Sequence, residues 1–323
     1  MSVIVDHERS RLGVSRDGAG LLVLRLFVGF FTLYAGLQIL VSDADFTEAV
    51  RALGVPLPSV AASLVVLGHV GLGVLLLVGL FTRPVGVLLA IKFLLIFFTY
   101  YVLQFDSTLT LIPVGTLWGV ESLSYGAAGI FFACTGAGRY SLDALLHPLV
   151  RGRTTMSPRF MRYLLADTEL SQAARGDLHV AAVGRVFFRL FIGSLLLLHS
   201  SSQIIGRSLD PGTETMTKLA NKLMTLGLPL PTVMAWATTL AMLAVGVLLL
   251  LGVFARAGGV VLAVVATVLL LAVPGLGGTT IEGYGFHGEE LLFLAAVGVF
   301  FALTGSGRFA GGVTSRHQQR RTA

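Results

Sequence analysis

The chain has 323 residues, 55% of them hydrophobic and only 12% charged, with a formal net charge of +6. Soluble domains carry about 25% charged residues, so this composition excludes an ordinary water-soluble fold and places most of the chain in lipid. The positive balance does not indicate nucleic acid, because the basic residues lie in tails and linkers, where the orientation of a membrane protein requires them.

In hydrocarbon every backbone polar group must be bonded within the protein, which leaves helices or closed barrels. The apolar runs are continuous over about 20 residues, the length of a spanning helix, whereas barrel strands alternate over about ten. Residues 1–20 are of mixed charge, and no small-residue cleavage signal follows the first apolar run. They read as a cytoplasmic tail ahead of a retained helix, not as a cleaved leader. Helices are expected at about 21–41, 59–81, 84–103 and 113–135, and again at about 183–205, 231–254, 257–274 and 286–305. Between the two sets lies a polar linker, 137–182, and a basic tail follows at 308–323. Within the linker, Arg159–Ala174 is expected to form a short helix, either interfacial or a solvated connector. Tyr100, Tyr101, Trp118, Trp236 and Tyr284 fall toward the outer helix ends and read as an aromatic belt.

The two sets are copies of one another. Arg25-Leu-Phe-Val-Gly29 returns as Arg189-Leu-Phe-Ile-Gly193, and Gly54-Val-Pro-Leu-Pro58 as Gly227-Leu-Pro-Leu-Pro231. The stretch Gly73–Arg83 returns as Gly246–Arg256, and Thr135-Gly-Ala-Gly-Arg139 as Thr304-Gly-Ser-Gly-Arg308. Four blocks in the same order define a tandem repeat, with units at 21–136 and 183–307. Arg83, Arg256, the linker arginines and the basic tail fall on one side, whereas Asp43, Asp45, Glu48, Asp106, Asp210, Glu214 and Glu282 fall on the other, where Lys218 and Lys222 partly spoil the pattern. The positive-inside rule then places both termini and the linker in the cytoplasm. An even helix number per unit makes the repeats parallel. The expected fold is thus an all-α integral membrane protein of two parallel four-helix repeats and about eight spans.

Ionisable groups inside a membrane are costly and are the default functional candidates. His69, Lys92 and Glu121 stand in the second, third and fourth helices of the first unit, and Tyr34 and Gln38 in its first. At about 1.5 Å per residue, they can share one level of one bundle. Desolvation favours pairing Lys92 with Glu121, and His69 can accept or pass a proton beside them. Such a cluster suits a quinone, whose head group needs hydrogen-bond partners and a proton source. The structural alternatives are a snorkelling Lys92 and a His69 bonded to a carbonyl. In the second unit Met242 takes the place of His69 and Val265 that of Lys92, whereas Glu290 keeps the place of Glu121 and His199 falls near that of Tyr34. Glu121, Lys92 and His69 are therefore the expected catalytic set, with Tyr34, Gln38, His199 and Glu290 as supporting quinone-binding groups. Glu289 and His287 are expected nearer the outer surface. The single cysteine, Cys134, and the isolated His69 and His199 give no pattern for zinc, iron–sulfur or haem. No metal or covalent cofactor is expected.

The segments Arg25–Gln38, Gly73–Arg83 and Thr135-Gly-Ala-Gly-Arg-Tyr-Ser-Leu-Asp143 together resemble the DoxX family. The family's members are four-helix membrane proteins with an arginine near the first helix, a small-residue second helix ending in Thr-Arg, and a terminal Gly-x-Gly-Arg-x-Ser-x-Asp. The second unit departs from this pattern, with Phe309-Ala-Gly in place of Ser-Leu-Asp, and His69 stands where members often carry a glutamate. The resemblance implies a prokaryotic cell membrane and roles tied to redox chemistry, as in subunits of thiosulfate:quinone oxidoreductase or in oxidant-resistance complexes with soluble enzymes. The expected function is a quinone-interacting membrane subunit of a redox complex, its electrons coming from a soluble partner on the cytoplasmic side. The alternatives are a non-catalytic anchor for such a partner and a small-solute or lipid transporter.

Overall fold

A computed structural model describes residues 2–41, 46–99, 121–150, 175–205, 216–225, 227, 229–271 and 288–305. The linker helix expected at Arg159–Ala174, the basic tail, and Tyr100, Tyr101, Trp118 and Tyr284 lie outside these residues. Among the described residues all regular structure is helical: α1 Ser2–Val41, α2 Phe46–Ala52, α3 Pro58–Val78, α4 Thr82–Phe97, α5 Glu121–Thr135, α6 Leu142–Val150, α7 Arg175–Ile205, α8 Met216–Thr225, α9 Pro231–Leu251, α10 Ala255–Leu271 and α11 Glu289–Thr304. Helix α1 differs from expectation by starting at Ser2 instead of near residue 21. No proline interrupts residues 2–20, so the helical hydrogen-bond ladder continues through them. Among the described residues, four helical segments are long and apolar enough to cross a membrane: Arg16–Val41, Pro58–Val78, His179–Ile205 and Pro231–Leu251.

The duplication is visible in the backbone. Leu57 and Phe81 have φ of 53° and 52°, and their counterparts Leu230 and Phe254 have 51° and 52°. A left-handed backbone is costly for such side chains. It recurs here at the residue before α3, α4, α9 and α10, where the chain turns sharply between helices. Pro58 and Pro231 follow Leu57 and Leu230 at the first helical position, where the missing N–H costs nothing.

The helices pack as a closed circuit. Helix α1 lies on α3, α3 on α4 and α4 on α5; α7 lies on α9, α9 on α10 and α10 on α11. Two seams join the copies, α1 against α11 and α5 against α7. Lipid gives helices little hydrophobic reason to associate, so close packing of small residues takes over. A Cβ on Gly86 of α4 would stand 2.5 Å from the Ala133 backbone nitrogen of α5, and one on the equivalent Gly259 of α10 would stand 2.4 Å from the Ala302 nitrogen of α11. One apolar core runs through both copies, with Phe131, Phe188 and Phe300 fully buried where α5, α7 and α11 meet.

A buried arginine ties the helix ends of each copy. Arg25 of α1 is 2% exposed. Its guanidinium donates to the carbonyl oxygens of Ala137 (2.8 Å) and Tyr140 (2.6 Å), just past the end of α5. It also packs on Gly79 at the end of α3, where a Cβ would come within 2.6 Å of Nη1. Arg189 of α7 repeats the contact, 2.5 Å from a Cβ built on Gly252. In the first copy Asp143 of α6 completes the junction, accepting from the Phe81 and Thr82 amides at 2.7 and 2.9 Å, at the start of α4. Burial holds the Asp143 carboxyl above the usual range despite those amide donors and Arg25.

Arg25→Met leaves two carbonyls without their donors. It should lower the unfolding temperature in detergent by the equivalent of about 2–3 kcal/mol. The upward shift of the Asp143 pKa has a defined sign: folding favours its protonated form, so this contribution is present at low pH and is lost as pH rises through the folded-state value. Asp143→Asn should flatten that part of the pH dependence of the unfolding temperature.

Candidate functional site

Two glycines make room for the polar groups of the first copy. His69 of α3 is 6% exposed. It packs against α1 at Gly36, where a Cβ would stand 2.7 Å from the His69 Cβ. Its Nδ1 lies 2.8 Å from the Val65 carbonyl oxygen one turn earlier. With Nδ1–H as the donor, a neutral ring presents Nε2 as an acceptor. The Lys92 stem of α4 lies along Gly68, where a Cβ would stand 3.2 Å from its Cδ. The second copy has Ala241 in place of Gly68 and Val265 in place of Lys92, so the cleared space and the lysine go together.

Both groups meet on Phe93. Lys92 Nζ stands 4.0 Å from the Phe93 ring centroid, and the His69 ring meets the same ring edge-on at 5.6 Å. The Lys92 amine is buried and has no hydrogen-bond partner among the described residues. The π face of Phe93 offers attraction only to its charged form. Burial without a hydrogen-bond acceptor leaves up to three N–H groups unspent. An amine in that condition can donate to a ligand oxygen.

Phe93 in turn stacks on Tyr125 of α5, with ring centroids 5.0 Å apart. Tyr125 lies between the two seams, and its hydroxyl donates to the carboxylate of Glu289 on α11, in the other copy. Both are buried, Tyr125 at 4% and Glu289 at 5% exposure. Ser124, Leu195, Glu290, Phe293 and Leu294 complete a small cleft around them. Its cavity is ≈ 20 Å³, room for one water and not for a quinone ring.

The other expected groups form separate sets. Gln38 donates to the Tyr34 hydroxyl at 2.5 Å along one face of α1. In the second copy Gln203 stands 2.9 Å from His199 Nε2 and accepts from the Thr239 hydroxyl at 2.8 Å, linking α7 to α9. Glu290 borders the seam cleft beside Glu289. Glu121 opens the described part of α5, and its side chain, with any pairing to Lys92, lies outside the described residues. His69 and Lys92 are therefore brought together, whereas His199 belongs to another network. Among the described residues no three metal-type ligands lie together.

The DoxX family profile matches residues 20–102 and 184–275, one region in each copy and more than half of the chain. The chain belongs to the DoxX family. It is a membrane protein of two DoxX units in tandem. No curated protein and no solved structure matches it. The DoxX regions hold His69 and Lys92 in the first unit and the His199 network in the second, whereas Tyr125 and Glu289 lie beyond them.

Two features escape the sequence reading. Glu289 is expected toward the outer end of its helix, and what that placement does not show is that its carboxylate is buried against Tyr125 of α5. Tyr125 carries no charge and sits in a run of small residues, so nothing local marks it. One sign was available: its counterpart in the second copy is Leu294, so the pair breaks the repeat.

Lys92→Val, which installs the second copy's residue, should raise the unfolding temperature in detergent by the equivalent of about 1–3 kcal/mol, since it removes a buried donor without a partner. Gly68→Ala alone should lower it by pressing on the lysine stem. Added to Lys92→Val, it should cost nothing.

Proposed function

We propose that this DoxX protein is a membrane subunit of a redox complex whose first copy binds a quinone head group at Lys92 and His69. The observation that carries this reading is the Lys92 amine, buried on Phe93 without a hydrogen-bond partner among the described residues and beside an imidazole. A protein keeps a desolvated donor of this kind when a ligand satisfies it; an apolar residue would otherwise be more stable there. Lys92 donates to one quinone oxygen, and Glu121 and His69 supply protons as the ring takes up two electrons and two protons to become the quinol. The electrons come from a soluble partner on the cytoplasmic side. Tyr34, Gln38, His199 and Glu290 serve as supporting polar groups on the quinone's path.

The same reading takes the chain as eight spans in two parallel four-helix units. Both termini lie on the cytoplasmic side of a prokaryotic inner membrane. Several contacts support it. Thr304 near the end of α11 touches the place of a Gly20 Cβ on α1, and Cys134 near the end of α5 touches that of Gly184 on α7. The starts of the apolar spans of α1 and α7, at Arg16 and His179, are thus near the level of the ends of α11 and α5. The arginine clusters then fall on one side, as the positive-inside rule requires.

A second reading, a non-catalytic anchor for a soluble partner, draws support from the internally bonded Tyr34–Gln38 and His199–Gln203–Thr239 sets. Quinone reduction by membranes holding the intact complex separates the two. Glu121→Gln and Lys92→Met should each slow it by about a hundredfold, with the partner still recovered. Wild-type rates in both variants refute the quinone site, and loss of partner recovery on deleting the linker, with rates otherwise intact, favours the anchor.

A further inference from the structure

Among the described residues, the second copy reaches into the first with both a polar and an aromatic group from α11. Helix α11 brings Glu289 to the Tyr125 hydroxyl. One turn on, Phe293 meets Tyr125 at 5.9 Å and Phe27 of α1 at 5.8 Å between ring centroids. Tyr125 is the ring on which Phe93 stacks, and Phe93 carries both Lys92 and His69. Two stacked rings, Tyr125 and Phe93, therefore separate Glu289 from the groups proposed to hold the quinone.

The arrangement runs in one direction only. Repeat equivalence replaces Tyr125 by Leu294, Lys92 by Val265 and His69 by Met242, while Glu289 stands where the first copy has Val120. The acid of the second copy thus occurs together with the phenol, the lysine and the histidine of the first, and none of the four has a like residue at its repeated place. Further along α5, at its seam with α7, the cross-copy ring contact is apolar, Phe131 on Phe188 with centroids 4.8 Å apart. That seam shows that packing alone needs no carboxylate at a junction of this kind. A buried carboxylate is costly in a membrane, and here it fixes the rotation of one phenol ring.

We propose that Glu289 is a positioning residue of the first copy's quinone site, acting through Tyr125 to set the Phe93 face against which Lys92 and His69 are held. This rests on the quinone reading above. A tyrosine ring bonded at its hydroxyl and stacked on its face has no freedom to tilt. Release of the hydroxyl lets Tyr125 tilt, Phe93 follow, and the lysine and imidazole lose their common wall. The second copy, which has no lysine or histidine of its own at these places, then contributes to a site located in the first.

The test is the affinity of the full-length protein in nanodiscs for decylubiquinone, read beside its unfolding temperature. Tyr125→Phe and Glu289→Leu should each weaken binding about tenfold, the worth of one hydrogen bond to a charged group. The double variant should be no weaker than either single one. Glu289→Gln, whose amide oxygen still accepts from the phenol, should restore most of the affinity. Wild-type affinity in Tyr125→Phe and Glu289→Leu, with binding lost in Lys92→Met, overturns the positioning role and leaves the site standing. Fully additive losses also overturn it, since the two residues would then act apart. An equal loss in Phe188→Leu, at the α5–α7 seam, would mean general loosening and counts against it in the same way. Failure of the wild type to bind decylubiquinone removes the quinone reading and the positioning role with it.

Discussion

A guanidinium buried beside the ends of two helices sets the geometry of each copy. In lipid the last carbonyls of a helix have no water to bond, and Arg25 brings its donors to those that follow α5 while pressing on the glycine that ends α3. A cation near helix C-termini is also favoured by the helix dipole. Because Arg25 belongs to α1, the contact fixes how far α1 stands along α3 and α5. The levels of Gly36, His69 and Tyr125 follow from it. Arg189 packs in the same way on Gly252, the glycine that ends α9 in the second copy. Asp143 extends the junction to the start of α4 in the first copy, holding two amides beside a left-handed Phe81.

Glycine contacts then bring neighbouring helices close enough for backbone to meet backbone, and the seams close the circuit. The interior this creates is apolar and tightly packed, with its few polar side chains placed where a glycine on the next helix leaves space. Gly36 opposite His69 and Gly68 opposite Lys92 are the clearest cases. Small residues therefore have two roles in this protein. Some bring helices together, and others leave room for a large polar side chain between helices that are already close.

Much of this was legible in the residues. Continuous apolar runs marked the helices, and four repeated blocks marked the duplication, since both signals are local in sequence. His69 and Lys92 stood out because charge in an apolar run is conspicuous. What the sequence concealed depends on helix rotation and on contacts between distant segments. Arg25 was visible as a repeated motif, but its partners lie more than a hundred positions away. Glu289 and Glu290 are adjacent, so hydropathy treats them alike. A rotation of about 100° per residue separates a carboxylate on the seam from one at its edge. The extension of α1 to Ser2 was hidden for another reason: charge argues against membrane but not against helix.

Tandem duplication also bears on symmetry. Two identical subunits meeting about a two-fold axis must present the same surface twice, so every contact made by one is returned by the other. A glutamate placed on such a surface would appear on both sides, and each phenol would face its own acid. Joining the units in a single chain removes that obligation. One unit can then carry Tyr125 and the other Glu289, with leucine and valine at the reciprocal places. The Tyr125–Glu289 bond is an arrangement that a homodimer of single units could not hold on one side alone. Covalent fusion lets the two halves of an otherwise symmetric assembly take on different tasks.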